Sequence, residues 1–66
     1  MSDVEELKAE IKKLSAKATQ AKMDLHDLSE ELPISWETIM DVAKRAHSAF
    51  AELEKKRADL KALEAA

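Results

Sequence analysis

Apolar residues recur along the first half of the chain at Val4, Leu7, Ile11, Leu14, Ala18, Ala21, Leu25, Leu28 and Leu32. The spacings alternate 3 and 4 without a break. That is a heptad seam, the signature of a helix that lays one stripe against another helix. Ser2 followed by Glu5 reads as a capping box at its start. A second seam follows at Trp36, Ile39, Ala43, Ala46, Phe50, Leu53 and Leu60, with Arg57 in one of its places. Pro33 disfavours helical geometry at Leu32 and ends the first helix. Ser35 is the expected N-cap of the second, with Ile34 stapled onto Ile39.

The pattern predicts an all-α chain: one helix over about residues 3–32, a turn at 33–35, and a second helix over about 36–64. Each helix is roughly 45 Å long at 1.5 Å per residue. A connection this short makes them antiparallel neighbours in a single hairpin domain. Folding at Pro33–Ile34 places Leu28 near Ile39, Leu25 near Ala43, Ala21 near Ala46, Ala18 near Phe50 and Leu14 near Leu53. Large residues mostly face small ones, as interdigitated layers require. Two helices cover only part of each stripe. Met40, Val42, Ala49 and Leu63 widen the second one. The expectation is that hairpins associate into a dimeric four-helix bundle. Its oligomer interface would be built on Met40, Val42, Ala46, His47, Ala49, Phe50 and Leu53.

Composition narrows the chemistry. The chain has 66 residues, no cysteine and no glycine. Disulfides, zinc–thiolate sites, protein-held iron–sulfur clusters and glycine-rich phosphate loops are all excluded. No apolar run reaches membrane-spanning length, and MSDVEELKAE lacks a basic region followed by an apolar one, so the expected location is cytoplasmic, with no membrane partner.

Charge then sorts by position. Residues 1–22 carry net +1, residues 44–66 net +2, and residues 23–43 net −6. The acids of the middle segment are Asp24, Asp27, Glu30, Glu31, Glu37 and Asp41, with no lysine or arginine among them. Glu37 suits a helix start, where the dipole favours anions. Asp27, Glu30 and Glu31 sit in the last turns of the first helix, where the dipole opposes them. Local rules tend to be broken at functional sites, so the six acids are the expected partner-binding surface.

With Leu25 and Leu28 in the seam, His26, Asp27 and Glu30 lie on the outer face. His26 and Glu30 are one helical turn apart. Imidazole and carboxylates are ligands for a divalent metal, iron or another transition metal, and these three residues are the candidate set. A solvated acidic face accounts for them too, and for one chain alone it is the better account. His47 lies about 9 Å further along the rod than His26 at 1.5 Å per residue, too far to share a metal, and reads as an interface histidine. Ser29 with His26 and Asp27 cannot act as a nucleophile set, because residues of one helix do not converge on a substrate atom. No carboxylate lies in the seam, so a di-iron bundle is not expected, and neither is an enzyme. Lys55, Lys56 and Arg57 form a short basic run broken by Glu52, Glu54 and Asp59. The acidic balance argues against a nucleic-acid partner.

The run KMDLHDLSEELPISWETIMDVA, Lys22 to Ala43, with ADLKALE near the end, resembles a family of very small proteins encoded in nitrogen-fixation gene clusters beside NifX-type genes. LHDLSEELP, followed by the spacing of Trp36, Ile39 and Val42, is its most specific part. Such proteins look like the Rop type of helical hairpin, which pairs into an antiparallel four-helix bundle. The resemblance implies an accessory role beside nitrogenase, with itself and nitrogenase-assembly or nitrogenase-associated proteins as partners, and metal or iron handling as the alternative. A Rop-like nucleic-acid binder is the third reading.

Overall fold

The computed structural model describes residues 3–65. Helix α1 spans Asp3–Glu31 and helix α2 spans Ile39–Ala65. A turn over residues 32–35 and a 3-10 turn at Trp36–Thr38 join them. The two helices pack along their length as a hairpin, giving a rod of 49 × 15 × 13 Å. Its radius of gyration is 15.1 Å. A compact chain of this length would have about 11 Å. The expected capping box at Ser2 and Glu5 involves a position outside the described residues.

The turn is made without glycine. The Leu32 N–H donates to the Leu28 carbonyl at 3.1 Å, and the Ile34 N–H to the Glu31 carbonyl at 3.0 Å. These bonds satisfy carbonyls that a helix end leaves open. The Leu32–Pro33 peptide is cis. Ser35 takes the left-handed conformation, φ 62° and ψ 21°, that glycine would adopt at lower cost. Its hydroxyl does not cap the second helix. Instead, its carbonyl accepts from the Thr38 N–H at 3.0 Å and from Thr38 Oγ1 at 2.8 Å. The expected N-cap is thus corrected: Ser35 opens a 3-10 turn through its backbone, and α2 begins only at Ile39. Ile34 is exposed, so it makes no effective staple.

Six of the described residues are buried: Ala18, Leu28, Val42, Ala46, Ala49 and Leu53. Ala18, Ala49 and Leu53 form the centre, with Ile11, Leu14 and Ala21 packed around them. The inward line of α2 is therefore Val42, Ala46, Ala49 and Leu53, continued by the half-buried Lys56 and Leu60. The expected seam shared Ala46, Leu53 and Leu60 with this line. In the other layers it had Ala43, Phe50 and Arg57, one position further on. Ala18 packs with Ala49, and Phe50 keeps 40% of its surface open. Side-chain size explains the rotation. Ala18 against Ala49 lets the axes approach, whereas Phe50 in that layer would hold them apart. Across the same face Lys56 Nζ pairs with Glu10 Oε2 at 3.3 Å. Of the expected oligomer interface, Val42, Ala46, Ala49 and Leu53 are already covered inside the hairpin, while Met40, His47 and Phe50 stay open.

Two grooves run between the helices, one on each side. One, of about 460 Å³, is bordered by Lys22, Leu25, Ala43, Ala46, His47, Phe50, Ala51 and Glu54. The other, of about 600 Å³, carries Lys17, Gln20, Asp24, Asp41, Lys44, Arg45, Ser48 and Glu52 beside Ala21 and Ala49. The first is the apolar flank that the rotation of α2 leaves uncovered. The second is bordered mostly by polar and charged residues.

Candidate functional site at the turn end

The turn end gathers the acids that the sequence singled out. Asp27, Glu30 and Glu31 close α1, which has no basic residue in its last turn. Glu37 sits in the 3-10 turn and Asp41 in the first turn of α2. All six acids of the segment are exposed. Among the described residues, Asp41 is the one of the six paired with a lysine or arginine, Arg45 Nη2 lying 3.4 Å away one helical turn on. Asp24 accepts a hydrogen bond from Gln20 Nε2 at 3.0 Å. Among the described residues, Glu31 and Glu37 have no ion-pair partner.

His26, Asp27 and Glu30 do come together. His26 Nδ1 lies 3.7 Å from Asp27 Oδ1, and Nε2 lies 3.5 Å from Glu30 Oε1. The Ser29 hydroxyl donates to the His26 carbonyl at 2.7 Å, so it is turned to its own backbone. The two carboxylates flank the imidazole, each against a different ring nitrogen. A single cation needs donors converging on one point. Among the described residues, no group of three histidine, aspartate or glutamate side chains is set to hold a metal ion. His47 lies away from this end, on the apolar groove with Phe50 and Leu25.

One part of the site was missed. Ile34, Trp36 and Met40 are 69%, 63% and 75% exposed. The sequence pattern alone makes Ile34 a staple, Trp36 a seam residue and Met40 part of an interface along the rod. The signal was in the sequence. Pro33 stops one helix, and Trp36 follows too soon for the next to have begun, so the heptad count does not extend back to it. The turn end of the rod thus carries three exposed apolar side chains, with acids before, between and after them in the sequence.

No helix among the described residues is long and apolar enough to cross a membrane. The chain matches the Rop-like family over residues 2–65. It is 60% identical over 65 residues to a UPF0437 protein of Azorhizobium caulinodans, covering 98% of this chain and 94% of that one. A Frankia alni protein named for its place in the nifX-nifW intergenic region is 56% identical over 43 residues, covering 65% of this chain and 52% of the relative. An NMR structure of a Northeast Structural Genomics Consortium target superposes with a TM-score of 0.91 at 48% identity, covering 98% of this chain and 92% of that one. The chain belongs to the Rop-like family, a helical-hairpin family with a member in a nitrogen-fixation gene region.

Proposed function

We propose that this Rop-like protein is a non-catalytic accessory protein of nitrogen fixation that binds a protein partner through its acidic turn end. The observation that carries the reading is the separation of charge on the rod. From Met23 to Asp41 the chain holds six acids and no lysine or arginine, all six exposed, three of them where the helix dipole opposes them. A surface of one sign raises encounter rates with a partner of the other sign and loses that advantage in salt. The Frankia relative's gene position supplies the biological setting.

The working unit is a pair of hairpins. A compact 7.4 kDa chain exposes about 4,200 Å² by size scaling, and this one exposes 5290 Å². The excess, about 1,100 Å², exceeds the ~800 Å² each partner gives to a standard interface. The groove beside Leu25, Ala43, His47 and Phe50 is the apolar face that a second copy covers. Sedimentation equilibrium tests this. A 7.4 kDa species that persists at high protein concentration would count against the pair.

The functional test uses His26→Gln, Asp27→Asn and Glu30→Gln together. In a nitrogen-fixing host lacking the gene, the parent chain should restore growth on dinitrogen and the triple variant should not. Cross-linked extracts of the variant should lack a partner band that the parent gives. Full rescue by the triple variant would remove the acidic end from the function.

A further inference from the structure

The apolar cap at the end of the rod has no use inside the hairpin. Ile34, Trp36 and Met40 fall within seven consecutive residues and all stand open. The residues that the hairpin does bury are mostly small. Glu30 and Glu31 precede this cap, Glu37 lies within it and Asp41 follows it. The nearest lysines and arginines in the sequence are Lys22 and Lys44 with Arg45, and Arg45 is taken by Asp41. An apolar centre with a charged border is the anatomy of a protein-binding patch, and tryptophan is among the residues that most often anchor one. Methionine adds a side chain that adapts to its contact.

We propose that the tip docks a basic amphipathic segment of another protein, its apolar side chains on Ile34, Trp36 and Met40 and its lysines or arginines toward Glu30, Glu31 and Glu37. This rests on the reading of the turn end as partner-facing and adds to it the anchoring residues and the partner's chemistry. Charge complementarity selects the occupant. A second copy meeting tip to tip would bring like charges together, and an anionic lipid surface is repelled by the same acids.

Trp36 is the only tryptophan in the chain, so its emission reports on this patch alone. The full chain is titrated with three tryptophan-free peptides of equal length: an amphipathic leucine–lysine peptide, oligolysine, and a leucine–glutamate peptide. The leucine–lysine peptide should shift Trp36 emission to the blue, saturably. Oligolysine should bind, by calorimetry, without the shift, and the leucine–glutamate peptide should do neither. Ile34→Ser with Met40→Ser should weaken the leucine–lysine peptide at least about tenfold and leave oligolysine unchanged. Circular dichroism should show that the variant keeps its helices. Glu30→Gln, Glu31→Gln and Glu37→Gln together should weaken both basic peptides.

An unshifted Trp36, or equal leucine–lysine affinity in the Ile34/Met40 variant, overturns the anchoring proposal and leaves the acidic reading standing. Oligolysine binding indifferent to the glutamine variant removes the acidic reading itself. Trp36 shielded from acrylamide as the chain self-associates would give the tip to a second copy. A blue shift with neutral phosphatidylcholine vesicles matching that with the peptide would give it to lipid. Either overturns the proposal.

Discussion

The middle of the rod and its turn end use apolar residues in opposite ways. In the middle, Ala18, Ala46 and Ala49 are buried with Leu53, and Ile11 and Leu14 close around them. At the turn end Leu28 and Val42 are buried, while Ile34, Trp36 and Met40 face outward. The alanines are inside and Trp36 and Met40 outside, while leucine occurs on both sides, buried at Leu28 and Leu53 and open at Leu25 and Leu32. In a two-helix hairpin there is no third layer to receive a large residue. Close approach of the axes is the main source of contact, and small residues permit it. Apolarity alone does not predict burial here; the position facing the other helix and the number of covering helices decide it.

The comparison breaks most visibly at the centre. Leu53→Ala removes the largest side chain of the central cluster, and core leucine truncations cost about 2–5 kcal/mol. A chain this short has little stability in reserve. The thermal midpoint should fall by many degrees or the transition should vanish. A midpoint close to the parent's would place the stabilising contacts elsewhere.

Phe50 lies on the boundary between the two uses. In the hairpin alone it is 40% open, so Phe50→Ala should cost about 1 kcal/mol, well below the 3–5 kcal/mol of a buried phenylalanine. If a second hairpin covers the groove, the cost should rise with protein concentration toward the buried value. Thermal melts of parent and variant over a concentration series separate the cases. A small cost at every concentration would leave Phe50 on an open flank.

The antiparallel hairpin, its break at Pro33 and its acidic end were legible in the sequence. They follow from spacing, a proline and a charge count, all local. Which side of α2 meets α1 was not. The lines through Ala43, Phe50 and Arg57 and through Val42, Ala49 and Lys56 share Ala46, Leu53 and Leu60, and both have helical spacing. Only the size of the residues facing them, Ala18 above all, chooses between them, and that is a tertiary property. The start of α2 was also misplaced. Ser35 resembles an N-cap by type, but it adopts a left-handed conformation and supplies its carbonyl rather than its hydroxyl.

Ser35→Gly sharpens the contrast at the turn. A non-glycine residue in the left-handed region costs about 1–2 kcal/mol, part of which glycine returns as extra freedom in the unfolded chain. The net expectation is a stabilisation of about 0.5–1 kcal/mol, read from urea midpoints. A loss of stability would mean that the Ser35 side chain contributes more than its backbone suggests.

The smallest effect is expected from His26→Gln, Asp27→Asn and Glu30→Gln, judged on stability. Two opposing terms enter. The variant loses the contacts of His26 with Asp27 and Glu30, which are exposed and long, and such pairs are worth about 0–1 kcal/mol. It also removes two negative charges from the C-terminal end of α1, where the dipole makes each unfavourable by about 0.3–1 kcal/mol when exposed. None of the three residues is buried, so no cavity or orphaned group is created. The terms should nearly cancel, leaving the midpoint level or slightly raised at low salt. Added salt should erase the difference, because both terms are screened. A clear destabilisation that persists in high salt would mean that this face packs against something, and that the turn end is a structural surface rather than one held open for a partner.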